Sequence, residues 1–286
     1  MPSRNSSLAS CVLRAPGKAF PAGVTPVARE GKAAKAGFEE LMDFEIRRLR
    51  RGERHRETTR KETLWVLLQG SACVTLGDKT ADVTRASVFD EGPYALHCGA
   101  GETFEIASPA ASEWAVVRTT NPRPLGGRLY RNDEFASEDR GAGLAQGACR
   151  RLVRTIFDYS TRPESALVAG EVVNFPGRWS TYPPHHHAQP EIYHYRFTLP
   201  QGYGHAELGD EVFKVRHGDT IKIPGGLDHS QVSAPGYGMY YLWVIRHLPR
   251  RPYKGFTFTP AHTWLLDPKN QGWQPAHLSL GAPASA

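Results

Sequence analysis

The residues with the clearest chemical meaning lie in the run Tyr182-Pro183-Pro184-His185-His186-His187-Ala188-Gln189-Pro190-Glu191. On an extended strand alternate side chains share a face, so His185 and His187 point together while His186 points away. Such a pair can hold one cation. Glu191 follows a turn at Pro190 and opens the next strand, from which its carboxylate can return to the same cation. A second run, Gly218-Asp219-Thr220-Ile221-Lys222-Ile223-Pro224-Gly225-Gly226-Leu227-Asp228-His229, supplies another imidazole. Gly218-Asp219 makes a hairpin turn, 220–223 is a strand, and Pro224 with Gly225-Gly226 turns the chain so that His229 faces inward. His185, His187, Glu191 and His229 are therefore the expected ligands of one divalent ion per subunit. Nitrogen and oxygen donors without thiolate suit Zn²⁺ or Mn²⁺ foremost, and also Fe²⁺, Co²⁺ or Ni²⁺, and on an octahedral ion they leave two positions open. Standing alone, the three consecutive histidines would read as a polar surface loop. His97, His205, His217, His247 and His277 lack such company and read as surface or packing residues.

Strands must position these ligands. From about residue 38 onward the chain consists of short apolar runs punctuated by turn residues, in keeping with 28 glycines and 22 prolines in 286 residues. Runs 64–69, 72–76, 86–89, 103–107 and 114–118 are rich in Val, Thr and aromatics and predict antiparallel strands. Residues 38–49 fit helix or strand. The rhythm breaks over 125–147, which reads as a linker, and resumes at 151–157, 165–174, 191–199, 212–216, 220–223 and 239–245. The implied domains are an N-terminal segment (1–30), a first β-barrel or sandwich (31–124), a linker (125–150), a second barrel carrying the ligands (151–268) and a loose tail (269–286).

Lys and Arg outnumber Asp and Glu by 35 to 29. The cluster Arg47-Arg48-Leu49-Arg50-Arg51 is interleaved with Glu53, Glu57 and Glu62 and reads as a solvated charged segment rather than a nucleic-acid site. A net basic charge suits a small anionic substrate. No apolar run approaches the roughly 18 to 20 residues needed to cross a bilayer. Cys11, Cys73, Cys98 and Cys149 show no CxxC spacing and read as reduced thiols of a cytoplasmic protein. The first 29 residues lack acidic side chains and faintly imitate an organellar presequence, but Pro16-Gly17 and Pro21 interrupt any amphipathic helix there.

Both ligand runs resemble the two metal-binding motifs of the cupin superfamily, and their surroundings are similar to the 5-deoxy-glucuronate isomerase family of bacterial myo-inositol catabolism. The resemblance rests on Trp179-Ser180-Thr181-Tyr182-Pro183-Pro184-His185-His186-His187, on Glu191-Ile192-Tyr193-His194-Tyr195-Arg196-Phe197 followed by Pro200-Gln201-Gly202-Tyr203-Gly204, on Ala234-Pro235-Gly236-Tyr237 with Tyr240-Tyr241-Leu242, and on Pro260-Ala261-His262-Thr263-Trp264. Weaker likeness upstream extends it over about residues 12 to 266. It implies an all-β bicupin of two jelly-roll barrels whose C-terminal barrel carries the metal on His185, His187, Glu191 and His229. The N-terminal barrel, lacking His-x-His and a matching Glu, would be metal-free and structural. Two departures stand out: His186 replaces the family's usual Lys, and only Ala188, Gln189 and Pro190 separate His187 from Glu191 where the family usually has a longer acidic segment.

The implied reaction is an aldose–ketose isomerisation of a deoxy uronic acid, 5-deoxy-glucuronate to 2-deoxy-5-keto-gluconate. A proton moves between adjacent carbons through an enediol while carbonyl and hydroxyl oxygens exchange roles. Tyr193 and Tyr195 share strand parity with Glu191 and should face the barrel interior; His194 and Arg196 should face outward. Candidates for the proton carrier are Tyr193, Tyr195 and His262. Tyr182, Tyr240 and Tyr241 are candidates for binding sugar hydroxyls, and Arg178, Arg196 and Lys222 for a counter-charge to a carboxylate. Competing readings are an isomerase of another sugar or sugar acid, a metal-dependent dioxygenase, and a non-catalytic sugar-binding cupin. The expected partner is a small anionic sugar, with no nucleic acid and no membrane; a homo-oligomer is left open.

Overall fold

The computed structural model describes residues 8–17, 19–31 and 41–273. Among the described residues, strands account for nearly every regular element and the only helices are short 3₁₀ turns. In the second half a seven-stranded antiparallel sheet runs in the order Val12–Leu13, Thr220–Ile223, Glu191–Phe197, Met239–Arg246, Leu167–Asn174, Arg151–Phe157 and Glu138–Arg140. A four-stranded sheet (Trp179–Ser180, Gln231–Ser233, Tyr203–Leu208, Glu211–Arg216) packs against it, Ala206, Leu208 and Val215 meeting Tyr193, Tyr195 and Ile221. In the first half, a nine-stranded sheet is built around the long strand Glu62–Leu76. That strand pairs with Ala95–Cys98 and Ser112–Thr119 over its first half and with Lys79–Arg85 and Thr103–Ala107 over its second, with a register irregularity between Leu67 and Gln69.

Side-chain alternation assigns each large sheet two buried faces. Phe44, Ile46, Leu64, Val66, Ala115 and Val117 of the first sheet pack against Ala169, Val173, Ile192, Leu242 and Val244 of the second. Their neighbours point the other way: Trp65, Trp114 and Phe104 fill the first barrel, while Val153, Val172, Tyr193 and Tyr241 face the interior of the second. The two barrels are thus joined through the backs of their sheets, and polar groups specify the join. Arg85 donates from Nη1 and Nη2 to Glu171 Oε1 and Oε2, both at 2.7 Å, and Tyr240 OH donates to Glu171 Oε1 at 2.8 Å. The Arg154 guanidinium donates to the carbonyls of Val88, Phe89 and Glu91. His97 bonds Glu62 at 2.8 Å and stacks on Phe157 at 4.3 Å.

Three expectations about elements change. Residues 86–89 are a turn rather than a strand, because Ser87, Asp90 and Glu91 bond locally and leave the backbone carbonyls to Arg154. The linker is ordered and paired: Arg128–Tyr130 joins the first sheet and Glu138–Arg140 the second. The N-terminal segment belongs to both barrels, with Val12–Leu13 on the edge of the second sheet and Gly23–Ala28 on the edge of the first. The ambiguity at 38–49 resolves as the strand Asp43–Leu49 over its described part. All four cysteines are free thiols. Among the described residues, no helix is long and apolar enough to cross a membrane. His277 and most of the 269–286 tail lie outside the described residues.

Candidate active site

Pro183 and Pro184 deliver His185 and His186 into a two-residue strand that pairs with Thr257–Phe258. Glu191 opens the strand Glu191–Phe197 and is flanked in register by Ile223 on one side and Ile245 on the other. Its carboxylate therefore stands on the rigid middle of the sheet. The second run is stitched to the first where Gly226 N–H donates to His187 O at 2.7 Å. Gly225 is obligatory there, since a Cβ would lie 2.0 Å from Ala188 O.

His229 Nδ1–H donates to Leu227 O at 2.8 Å, which fixes the tautomer and leaves Nε2 as a lone-pair donor 3.5 Å from Glu191 Oε2. His187 Nε2 lies 3.1 Å from the same oxygen. One donor atom from each of His187, Glu191 and His229 falls within 4.8 Å of the others, and all three residues are buried. His185 flanks this trio, its ring centroid 5.1 Å from that of His229, and stacks on Phe256 at 3.9 Å. Burial, reinforced by the His229 and His187 rings, holds the His185 pKa at about 2, and burial also lowers that of His229. Neutral imidazoles beside a carboxylate, with the buried His229 Nε2 lacking any hydrogen-bond partner, are the state that a divalent cation requires of its ligands. The residues fit such an ion.

These groups open onto a cavity of about 430 Å³. Tyr182, Tyr193 and Tyr241 line it as well. Tyr193 stacks on Tyr241 with centroids 4.4 Å apart, and Tyr241 OH donates to Ser180 Oγ at 2.9 Å. Burial raises the phenol pKa of Tyr193 and pushes that of Tyr241 up to about 12, so both are hydrogen-bond donors at neutral pH. Other expected residues lie elsewhere. Tyr195 OH is used on Gln231 Oε1 at 2.6 Å, and Gln231 in turn holds His229 O at 2.6 Å. Tyr240 faces the opposite barrel, as the alternation with Tyr241 demands. Arg196 also faces that barrel and is paired with Glu113 at 2.5 Å. Arg178 is exposed, Lys222 half-buried, and neither lines the cavity. His262 sits on the 3₁₀ helix Pro260–Leu266, from which Leu266 rather than His262 reaches the cavity.

The sequence reading missed Tyr253, Phe256 and Phe258, which come from an irregular segment and cover the ligands from above; the Tyr253 and His187 ring centroids are 5.0 Å apart. The aromatic density of Tyr253-Lys254-Gly255-Phe256-Thr257-Phe258 was the available signal. Arg140 and Arg151 were missed too, because the first lay in the expected linker and the second at a strand start.

Two back-to-back barrels, one of them with an inward His/Glu/His set beneath an aromatic-lined cavity, define the bicupin class. The chain belongs to the KduI/IolB family, whose model matches residues 20–265. It is 30% identical over 253 residues to a 5-deoxy-glucuronate isomerase of Geobacillus thermodenitrificans, covering 82% of this chain and 89% of that protein. A protein of the same name from Halalkalibacterium halodurans is 29% identical over 279 residues, covering 90% of this chain and all of the relative. Among solved structures, an IolB-like protein from Salmonella typhimurium LT2 superposes with a TM-score of 0.73 at 25% identity, over 86% of this chain and 100% of that one. An oxalate decarboxylase of Lactobacillus farciminis, at 14% identity and a TM-score of 0.60, shares the fold over 84% of this chain and 85% of its own. The chain is an isomerase of the aldose–ketose type.

Proposed function

We propose that this isomerase converts 5-deoxy-glucuronate to 2-deoxy-5-keto-gluconate with the help of one divalent ion held by His187, Glu191 and His229, with His185 completing the set. The observation that carries the reading is the buried His187/Glu191/His229 grouping at the floor of a cavity large enough for a six-carbon sugar acid. The activity for which the relatives that match most of the chain are named supports the substrate. Zn²⁺ and Mn²⁺ suit the donor set best.

When bound, such an ion polarises a carbonyl and so acidifies the neighbouring C–H. The chain's own residues supply the rest. Glu191 and His229 are locked by the central sheet and by Leu227 O, so the ligand geometry exists before any sugar arrives. Tyr193, the one proton-carrier candidate that lines the cavity, keeps its hydroxyl proton and is assigned the role of donor to substrate oxygen. Tyr182 and Tyr241 border the same space and are assigned to sugar hydroxyls, Tyr241 as an acceptor because its own proton goes to Ser180 Oγ. Phe256 and Phe258 exclude water above His185, which strengthens polar interactions beneath them. Incubation with 5-deoxy-glucuronate and Mn²⁺, followed by chromatography of the keto product, tests the reading. Turnover is expected; its absence, with each of the five candidate metals, would refute the assignment.

A further inference from the structure

Two arginines stand opposite each other across the last two strands of the second sheet. Arg140 and Arg151 are register partners in the pairing of Glu138–Arg140 with Arg151–Phe157, and both line the cavity. Like charges directly opposite on neighbouring strands repel. Arg140 is neutralised at its own strand, Nε and Nη2 donating to Glu138 Oε2 at 2.8 and 2.6 Å. Arg151 is different. Among the described residues its guanidinium makes one hydrogen bond, from Nη1 to Cys149 O at 2.9 Å, and has no carboxylate partner. Arg151 is half-buried, and burial, with the Arg140 charge adding to it, presses its pKa down.

The backbone is shaped around this side chain. Gly141 has φ +77°, and a Cβ there would lie 2.3 Å from Cys149 O and 2.9 Å from Arg151 Nη1. A glycine is what lets the carbonyl and the guanidinium meet. Nε and Nη2 of Arg151 remain available, and these adjacent donors match the two oxygens of a carboxylate. The residues two and four further along the strand, Val153 and Thr155, line the same cavity. Asp158, the other acid on the cavity wall besides Glu191, is committed to its own turn, its Oδ1 accepting from Ser160 N, Ser160 Oγ and Thr161 N.

We propose that Arg151, cradled by Gly141 and Cys149 O, binds the substrate's carboxylate and so selects a uronic acid over a neutral sugar of the same length. The inference rests on the proposed sugar-acid reaction and names the residue that would read the acid. Its test separates recognition from turnover. Calorimetric titration of the full chain with D-glucuronate and with D-glucose should show glucuronate bound at least about tenfold more tightly by the wild type. R151M should lose that preference by weakening glucuronate alone, leaving glucose binding unchanged. R151K, which keeps a charge but not the fork, should reduce the preference at least about threefold, and it carries the test should R151M not fold. A wild type that binds the two sugars alike, or variants that keep the full preference, would overturn the proposal. If the preference follows Arg151 while no 5-deoxy-glucuronate is turned over, the carboxylate site stands and the reaction assignment falls.

Discussion

At the scale of single residues, the site is a set of side chains distinguished by which way strand alternation turns them. Tyr193 and Tyr195 sit two apart on one strand and face the same interior, yet their hydroxyls have different fates. The first borders the cavity, while the second is consumed by Gln231. Tyr193→Phe is therefore expected to lower kcat by about 100-fold, the low end for a lost proton donor. Tyr195→Phe should change kcat less than tenfold and cost about 1 to 2 kcal/mol of stability, since Gln231 Oε1 loses a buried donor. Steady-state kinetics and denaturant unfolding on both variants check this, and equal kinetic losses would contradict it. The grouping of His187, Glu191 and His229 was legible in the sequence because it is local: residues within two short runs, with glycines and prolines marking the turns. Arg151 was not, because whether a strand residue faces cavity or core depends on which partner sheet covers each face.

At the scale of elements, the proposed ligands are placed by unequal supports. Glu191 stands in the middle of the sheet, whereas His185 depends on a two-residue strand paired with Thr257–Phe258. That pairing is reinforced from below: Thr259 Oγ1 donates to Asp228 Oδ2 at 2.6 Å, and His186 Nδ1 bonds Asp228 Oδ1 at 3.0 Å. His186 thus faces away from the cavity, as expected, and ties the first histidine run to the second, while Thr259 ties the strand Thr257–Phe258 to the same carboxylate. Phe256, one residue before that strand, stacks on His185 with the rings inclined at 18°. Phe256→Ala is predicted to weaken metal affinity by about tenfold, the range for groups that orient a ligand. A chelator competition assay checks it, and unchanged affinity would contradict it. The strands of both barrels were readable from alternation. The pairing of 185–186 with 257–258 was not, because two-residue strands some seventy positions apart leave no periodic signal.

At the scale of the whole molecule, the two barrels are one cooperative body because the join is both apolar and ionic. Arg85 and Glu171 are fully buried and fork to fork. Removing one member strands the other, at a cost of about 3 to 5 kcal/mol. Arg85→Met should therefore lower the thermal midpoint by roughly 10 °C, in a single transition for both barrels. An unchanged midpoint by calorimetry would contradict the role given to this pair. The N-terminal barrel, packed with Trp65 and Trp114, contributes the surface on which the catalytic sheet is laid.

Acid sensitivity also belongs to the whole molecule. His97 and His194 are completely buried, and burial lowers their pKa; that of His247 falls to about 4 for the same reason. The unfolded chain takes up protons on these rings near pH 6.5 and the folded chain does not. Stability from this source is therefore full above pH 6.5 and declines as pH falls, by up to about 1.4 kcal/mol per pH unit for His194, the ring driven furthest down. The thermal midpoint should drop steadily between pH 7 and pH 5; a flat profile would contradict it.

In the proposed function a single cation, gripped from two separate stretches of the second barrel, makes this fold an isomerase. The most direct measurement is titration of chelator-stripped protein with Mn²⁺ while following ketose formation from 5-deoxy-glucuronate. Activity should be absent at the start and rise linearly to a break at one ion per chain. Full activity in the stripped protein, or a rate indifferent to added ion, would contradict it.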